Sequence, residues 1–98
     1  MTLNANEIKK RLNEWHFCKA YFSASKDDGE LEKQLSAIER AVAALDASDA
    51  ALIRMRFFER VEAKYMAQKL YITRQAVYKR LNNIIERMAF CISNGGNG

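Results

Sequence analysis

The sequence contains no proline, and its four glycines are confined to position 29 and to the last four positions. Proline and glycine are the residues that most disfavour the interior of a helix, so neither interrupts residues 30–94. Alanine, leucine, glutamate, lysine, arginine and glutamine, which all favour helices, are abundant. The sequence therefore predicts an all-α protein.

Side chains that serve catalysis or metal binding are scarce. Cys18 and Cys91 lie far apart without metal-binding spacing, and an apolar helical context predicts that both are reduced and buried. His16 is the single histidine, and on a helix it does not face Cys18 two positions later. No glycine-rich phosphate loop or Ser-His-Asp set is present. We therefore expect no enzyme, no catalytic residue, no cofactor and no metal.

Long apolar runs are also missing. No stretch approaches the 20 or so apolar residues that a membrane-spanning helix needs, and the sequence shows no signal-peptide pattern. A length of 98 residues corresponds to about one domain. We expect a cytoplasmic protein that does not contact a membrane.

Charge is distributed unevenly along the chain. The formal net charge is +4, yet residues 1–45 hold equal numbers of acids and bases. Between Glu62 and Glu86 no acid occurs, and the bases in this window are Lys64, Lys69, Arg74, Lys79 and Arg80. Such a stretch attracts phosphate, although a solvated basic helix face would give the same pattern.

Apolar residues recur every three or four positions, and this spacing predicts five helices. Their expected bounds are Ala5 to Ser23, Glu30 to Leu45, Asp49 to Phe58, Ala63 to Leu70, and Arg74 to Ile92. The side chains that suit the N-cap of a helix are Asn4 or Asn6, Ser48 and Thr73. Residues 93–98 form a polar, glycine-rich tail that we expect to be disordered.

We expect the first two helices to form an N-terminal helical hairpin, residues 1–45, because the loop between them is short and contains the turn signal Asp28-Gly29. We expect this hairpin to serve packing or dimerisation. Trp15, Tyr21 and Phe22 fit either a core or a homodimer face. Phe57 and Phe58 are adjacent, so we expect that one of them does not face inward.

The last two helices, within residues 46–92, have the dimensions of a helix-turn-helix, in which the second helix enters the major groove. On that second helix the apolar stripe is formed by Val77, Leu81, Ile84, Ile85 and Met88. Gln75, Lys79 and Asn82 lie roughly opposite, with Arg74 and Tyr78 on one flank and Arg80 on the other. These side-chain types pair with base edges and phosphates. An ordinary amphipathic helix with a solvated outer face is the alternative.

Residues 45–92 resemble region 4 of bacterial sigma-70-type factors. The resemblance is carried by Leu45, Ile53-Arg-Met-Arg-Phe57, Met66-Ala67, Leu70 and Ile72-Thr-Arg-Gln-Ala-Val77. In that family glycine is usual in the turn, where this sequence has Tyr71. With the N-terminal hairpin and Val77-Tyr-Lys-Arg-Leu81, the chain is similar to phage late-gene transcriptional regulators of the ArpU and RinA type. The resemblance implies a phage or prophage protein with a sigma-70 region 4-like helix-turn-helix.

Two functional hypotheses follow. The first is a sequence-specific transcriptional regulator that binds double-stranded DNA through the helix starting at Thr73. Its expected DNA-binding residues are Thr73, Arg74, Gln75, Tyr78, Lys79, Arg80, Asn82, Lys64 and Lys69. The alternative is a protein-interaction module that binds RNA polymerase or another regulator, with Tyr65, Tyr71 and Tyr78 as contact aromatics.

Overall fold

A computed structural model describes residues 2–25 and 29–95 of the chain, and these residues are largely helical, with no strand among them. The all-α prediction is confirmed. The elements are α1 (Ala5–Asn13), α2 (Trp15–Ser25), α3 (Gly29–Ala44), α4 (Ala47–Ile53), a π-helical turn (Arg54–Phe58), α5 (Ala63–Leu70) and α6 (Arg74–Gly95). Within the described ranges, no helix is both long and apolar enough to cross a membrane.

The first predicted helix is divided in two. Asn4 caps α1, since its side chain accepts a hydrogen bond from the Glu7 N–H at 2.8 Å while its own N–H donates to Glu7 Oε1 at 3.1 Å. The helix ends at Glu14, whose ψ of 18° departs from helical values, and α2 begins at Trp15. The prediction of one continuous helix to Ser23 was therefore wrong, and no proline or glycine marks the break.

The helix α2 packs against α3. Lys19 Nζ lies 3.1 Å from Glu39 Oε1, and Arg11 on α1 donates through Nε to Gln34 Oε1 at 2.8 Å. Trp15 is buried in the core, whereas Tyr21 is exposed. The side chain of Phe22 and the Asp27-Asp28 turn predicted for the hairpin lie outside the described residues.

Asp46 caps α4, and the prediction that Ser48 does so was wrong. Asp46 Oδ1 accepts the Asp49 N–H at 2.9 Å and the Ser48 hydroxyl at 3.0 Å. The hydrogen bond from the Asp49 backbone, followed by the one from Ser48, lowers the pKa of the Asp46 carboxyl below its ordinary value. The ionised cap is therefore favoured at neutral pH.

The helix α4 continues into a π-helical turn, in which the Glu59 N–H donates to the Arg54 carbonyl at 2.8 Å, five residues back. Phe57 is buried, and Phe58 is half-buried with its ring 4.8 Å from that of Trp15. Both phenylalanines pack against the core. Phe57 is therefore enclosed in the core, whereas Phe58 is only partly buried at its edge.

One hydrophobic cluster joins all the helices, and α6 is its central element. It packs against α1, α3, α4 and α5. Its buried side chains are the predicted stripe, namely Val77, Leu81, Ile84, Ile85 and Met88. The regions 1–45 and 46–92 therefore share one core. The helix extends through Gly95, so the disorder predicted from Ser93 does not apply to residues 93–95, and residues 96–98 lie outside the described range.

A salt bridge links α4 to α6. Arg87 Nη2 lies 2.6 Å from Asp49 Oδ2, and Asp49 is buried, with 7% of its surface exposed. Loss of the arginine would leave this carboxylate without its ion-pair partner. We expect Arg87→Ala to lower the free energy of unfolding, measured by urea denaturation, by about 1–2 kcal/mol. The expected loss is smaller than for a fully buried ion pair, because the Arg87 side chain is exposed to solvent. Arg80→Ala is the matched control. It lies two turns earlier on the same side of α6, and an equal loss there would contradict the assignment.

Candidate nucleic-acid interface

A three-residue connection, Tyr71 to Thr73, joins α5 to α6. The Ile72 N–H donates to the Ala67 carbonyl at 3.0 Å, and the Tyr71 N–H donates to the Gln68 carbonyl at 3.3 Å. These two hydrogen bonds form the Schellman motif that ends many helices. In this motif the first residue after the helix takes the left-handed conformation, and Tyr71 does so with φ 59° and ψ 40°.

Thr73 caps the start of α6. Its Oγ1 accepts the Ala76 N–H at 3.0 Å, and its carbonyl accepts the Val77 N–H at 3.1 Å. The predicted cap is therefore confirmed. No acid lies in the first turn of α6, so the positive end of the helix dipole is not neutralised by the helix's own side chains there.

The polar face of α6 is directed away from the core along its first three turns. The residues of this outer face are all exposed, and they are Arg74, Gln75, Tyr78, Lys79, Arg80 and Asn82. The segment from Arg74 to Asn82 rises about 12 Å, which is comparable to the width of the major groove of B-form DNA. Within the described residues, Arg74, Lys79 and Arg80 take part in no salt bridge.

The two lysines of α5 differ in their surroundings. Lys64, in the first turn, lies 3.9 Å from Glu62 Oε2 and places its ammonium group 5.0 Å from the centre of the Tyr65 ring. Lys69 lies in the last turn, beside the connection to α6, and is exposed. Of the two, Lys69 is the nearer in the sequence to the cations of α6. Lys64 is partly compensated by Glu62.

Comparison with known proteins finds no matching family model, no matching curated protein and no matching solved structure. The similarity to sigma-70 region 4 therefore rests on the sequence motif alone. It remains a prediction.

The two cysteines and the histidine lie away from the outer face of α6. Cys18 is buried as predicted, but Cys91 is exposed, so its predicted burial was wrong. His16 is exposed, and its Nε2 lies 2.8 Å from the carbonyl oxygen of Phe58. Within residues 2–25 and 29–95 there is no group of three or more His, Cys, Asp or Glu side chains that could hold a metal ion.

Tyr71 is the residue of this surface that sequence reasoning left out of the DNA-binding set. It is 94% exposed, against 46% for Tyr78 and 52% for Tyr65. The signal for it was the absence of glycine where a short connection between helices calls for a left-handed residue.

Proposed function

We propose that this chain is a DNA-binding transcriptional regulator in which α5 and α6 form a helix-turn-helix. In this arrangement the first turns of α6 enter the major groove while α5 lies across the phosphate backbone. The proposal extends to a sequence-specific, phage or prophage regulator that resembles sigma-70 region 4, with RNA polymerase and a second copy of the chain as further partners.

The observation that carries the proposal is the outer face of α6. A capped helix start follows a three-residue connection, and the exposed side chains after it combine cations with amides. Arginine pairs well with guanine, and glutamine or asparagine with adenine. No acid between Glu62 and Glu86 opposes the approach of a polyanion.

The alternative function, a protein-interaction module, is favoured by a separate observation. Tyr65, Tyr71 and Tyr78 are all exposed on α5, the connection and α6, and tyrosine is enriched where proteins meet. The two functions differ in their dependence on salt. DNA binding releases counterions and weakens steeply as salt rises, whereas an apolar protein interface does not.

The experiment that tests the proposal is fluorescence anisotropy with a labelled duplex of random sequence, titrated at several salt concentrations. We expect binding at low salt that weakens linearly in log–log form, with a slope of about −0.9 for each phosphate neutralised. A non-specific dissociation constant of about 10⁻⁴–10⁻⁶ M is expected near physiological salt. No binding at low salt would contradict the proposal. Co-purification of RNA polymerase would then test the alternative.

A further inference from the structure

Tyr71 holds a backbone conformation that is costly for its residue type. An L-residue other than glycine, asparagine or aspartate rarely takes a left-handed conformation, because its Cβ crowds the following carbonyl. The two hydrogen bonds that end α5 nevertheless fix Tyr71 there. Glycine would satisfy the same hydrogen bonds without this strain. The tyrosine therefore works against the stability of the fold at this position.

The side chain gains nothing from packing in return. Tyr71 is 94% exposed, so its ring and hydroxyl contact almost nothing within the described chain. Its neighbours Leu70 and Ile72 are half-buried against the core and hold the connection in place. Strained residues that the surrounding structure fixes in position occur preferentially at functional sites. A strained and unpacked tyrosine thus indicates a contact made outside the chain.

We propose that Tyr71 contacts the sugar-phosphate backbone of bound DNA, with its hydroxyl donating to a phosphate oxygen beside the start of α6. The inference rests on the proposed function and adds a residue to it. Tyr71 comes two residues before Thr73, whose following backbone N–H groups form the positive end of α6. Tyr71 is therefore close, along the chain, to a phosphate that this helix end would attract.

The residues around Tyr71 favour a phosphate, and not an apolar protein surface, as the partner of its side chain. The nearest charged residues in the sequence are Lys69 and Arg74, both exposed cations, and no acid lies within eight residues on either side. Since Leu70 and Ile72 are turned toward the core, Tyr71 has no exposed apolar neighbour in the connection with which to form a patch. A phenol hydroxyl among cations is a common partner of DNA phosphates.

Three substitutions of Tyr71 distinguish the effect of losing the DNA contact from the effect of relieving the backbone strain. Tyr71→Gly removes both the side chain and the strain, and Tyr71→Asn removes the ring but tolerates the left-handed conformation. Tyr71→Phe keeps the ring and the strain and removes only the hydroxyl. Phe90→Ala, at an exposed ring near the end of α6, is the control for loss of a surface aromatic side chain.

The test measures duplex affinity across a salt series, together with the melting temperature of each variant. We expect Tyr71→Gly and Tyr71→Asn to bind about tenfold more weakly than the wild type, and Tyr71→Phe about three- to tenfold more weakly. Because none of these changes removes a charge, the salt slope stays constant, whereas Arg74→Ala reduces it by about 0.9. Tyr71→Gly is expected to melt about 4–8 °C higher. Weaker binding by a more stable protein is the result that supports the inference.

The outcomes distinguish this inference from the function on which it rests. Wild-type affinity in Tyr71→Gly and Tyr71→Asn, with weaker binding by Arg74→Ala, would overturn the role of Tyr71 and leave DNA binding intact. Wild-type affinity in Tyr71→Phe alone would overturn the phosphate hydrogen bond. An equal loss in Phe90→Ala would also overturn the inference, because the effect would not be local. A wild-type protein that binds no duplex at low salt would overturn both proposals.

Discussion

Replacement of Arg74 and Lys79 together by alanine is expected to weaken binding to a selected duplex site about a hundredfold. Arginine at a base edge contributes about 1–3 kcal/mol of binding free energy, and a lysine at a phosphate contributes through counterion release. On random duplex the same double variant is expected to lower the salt slope by about 1.8, which corresponds to two phosphates. Anisotropy titrations on both duplexes measure the two effects.

The matched control for this double variant removes the same charges from another helix. Lys33 and Arg40 are exposed on α3, outside the region between Glu62 and Glu86. We expect Lys33→Ala with Arg40→Ala to leave the salt slope unchanged and to weaken binding by less than about threefold through the lower net charge. Equal losses in the two double variants would indicate a diffuse attraction and contradict a defined interface on α6.

The second large effect concerns the shared core. Ile38 is fully buried on α3, and α3 packs against α6. Ile38→Ala removes apolar surface and leaves a cavity, so we expect the free energy of unfolding to fall by about 2–5 kcal/mol. A domain of this size has only about 5–15 kcal/mol of stability. Phe90→Ala, at an exposed ring on α6, is the control and is expected to cost less than about 0.5 kcal/mol.

Two optical probes show whether Ile38→Ala destabilises the whole chain. Trp15 is the single tryptophan, and its ring packs against that of Phe58, so its fluorescence follows the contact between residues 1–45 and 46–92, whereas circular dichroism follows helices throughout. A shared core predicts that both signals change at the same urea concentration in the wild type and in Ile38→Ala. Separate transitions would show that this contact is lost without unfolding of the helices, and would contradict a single cooperative core.

The parts of the fold that depend on local chemistry were predictable from the sequence. The bounds of α5, the buried stripe of α6 and the Thr73 cap follow from periodicity and capping preferences that operate within a few residues. The exposure of the predicted outer-face residues of α6 follows from the same periodicity. Its function as a DNA interface remains a prediction.

The features that were missed depend on tertiary packing or on choices between near-equivalent residues. The break at Glu14 has no breaker residue to mark it, and Asp46 and Ser48 are both good caps within two positions. The exposure of Cys91 depends on which side of α6 faces the core in its last turns. The left-handed Tyr71 is visible in the sequence only as a missing glycine.

The π-helical turn has a consequence for how the chain tolerates changes in length. A hydrogen bond that spans five residues instead of four encloses one residue more than the α-helical pattern requires. Arg54–Phe58 is therefore equivalent to an α-helical turn that holds one inserted residue between α4 and the loop before α5. A single-residue deletion here can be accommodated, because the turn can change from π-helical to α-helical hydrogen bonding. Within α6 the same deletion would rotate every later side chain by about 100° and so turn the buried stripe away from the core.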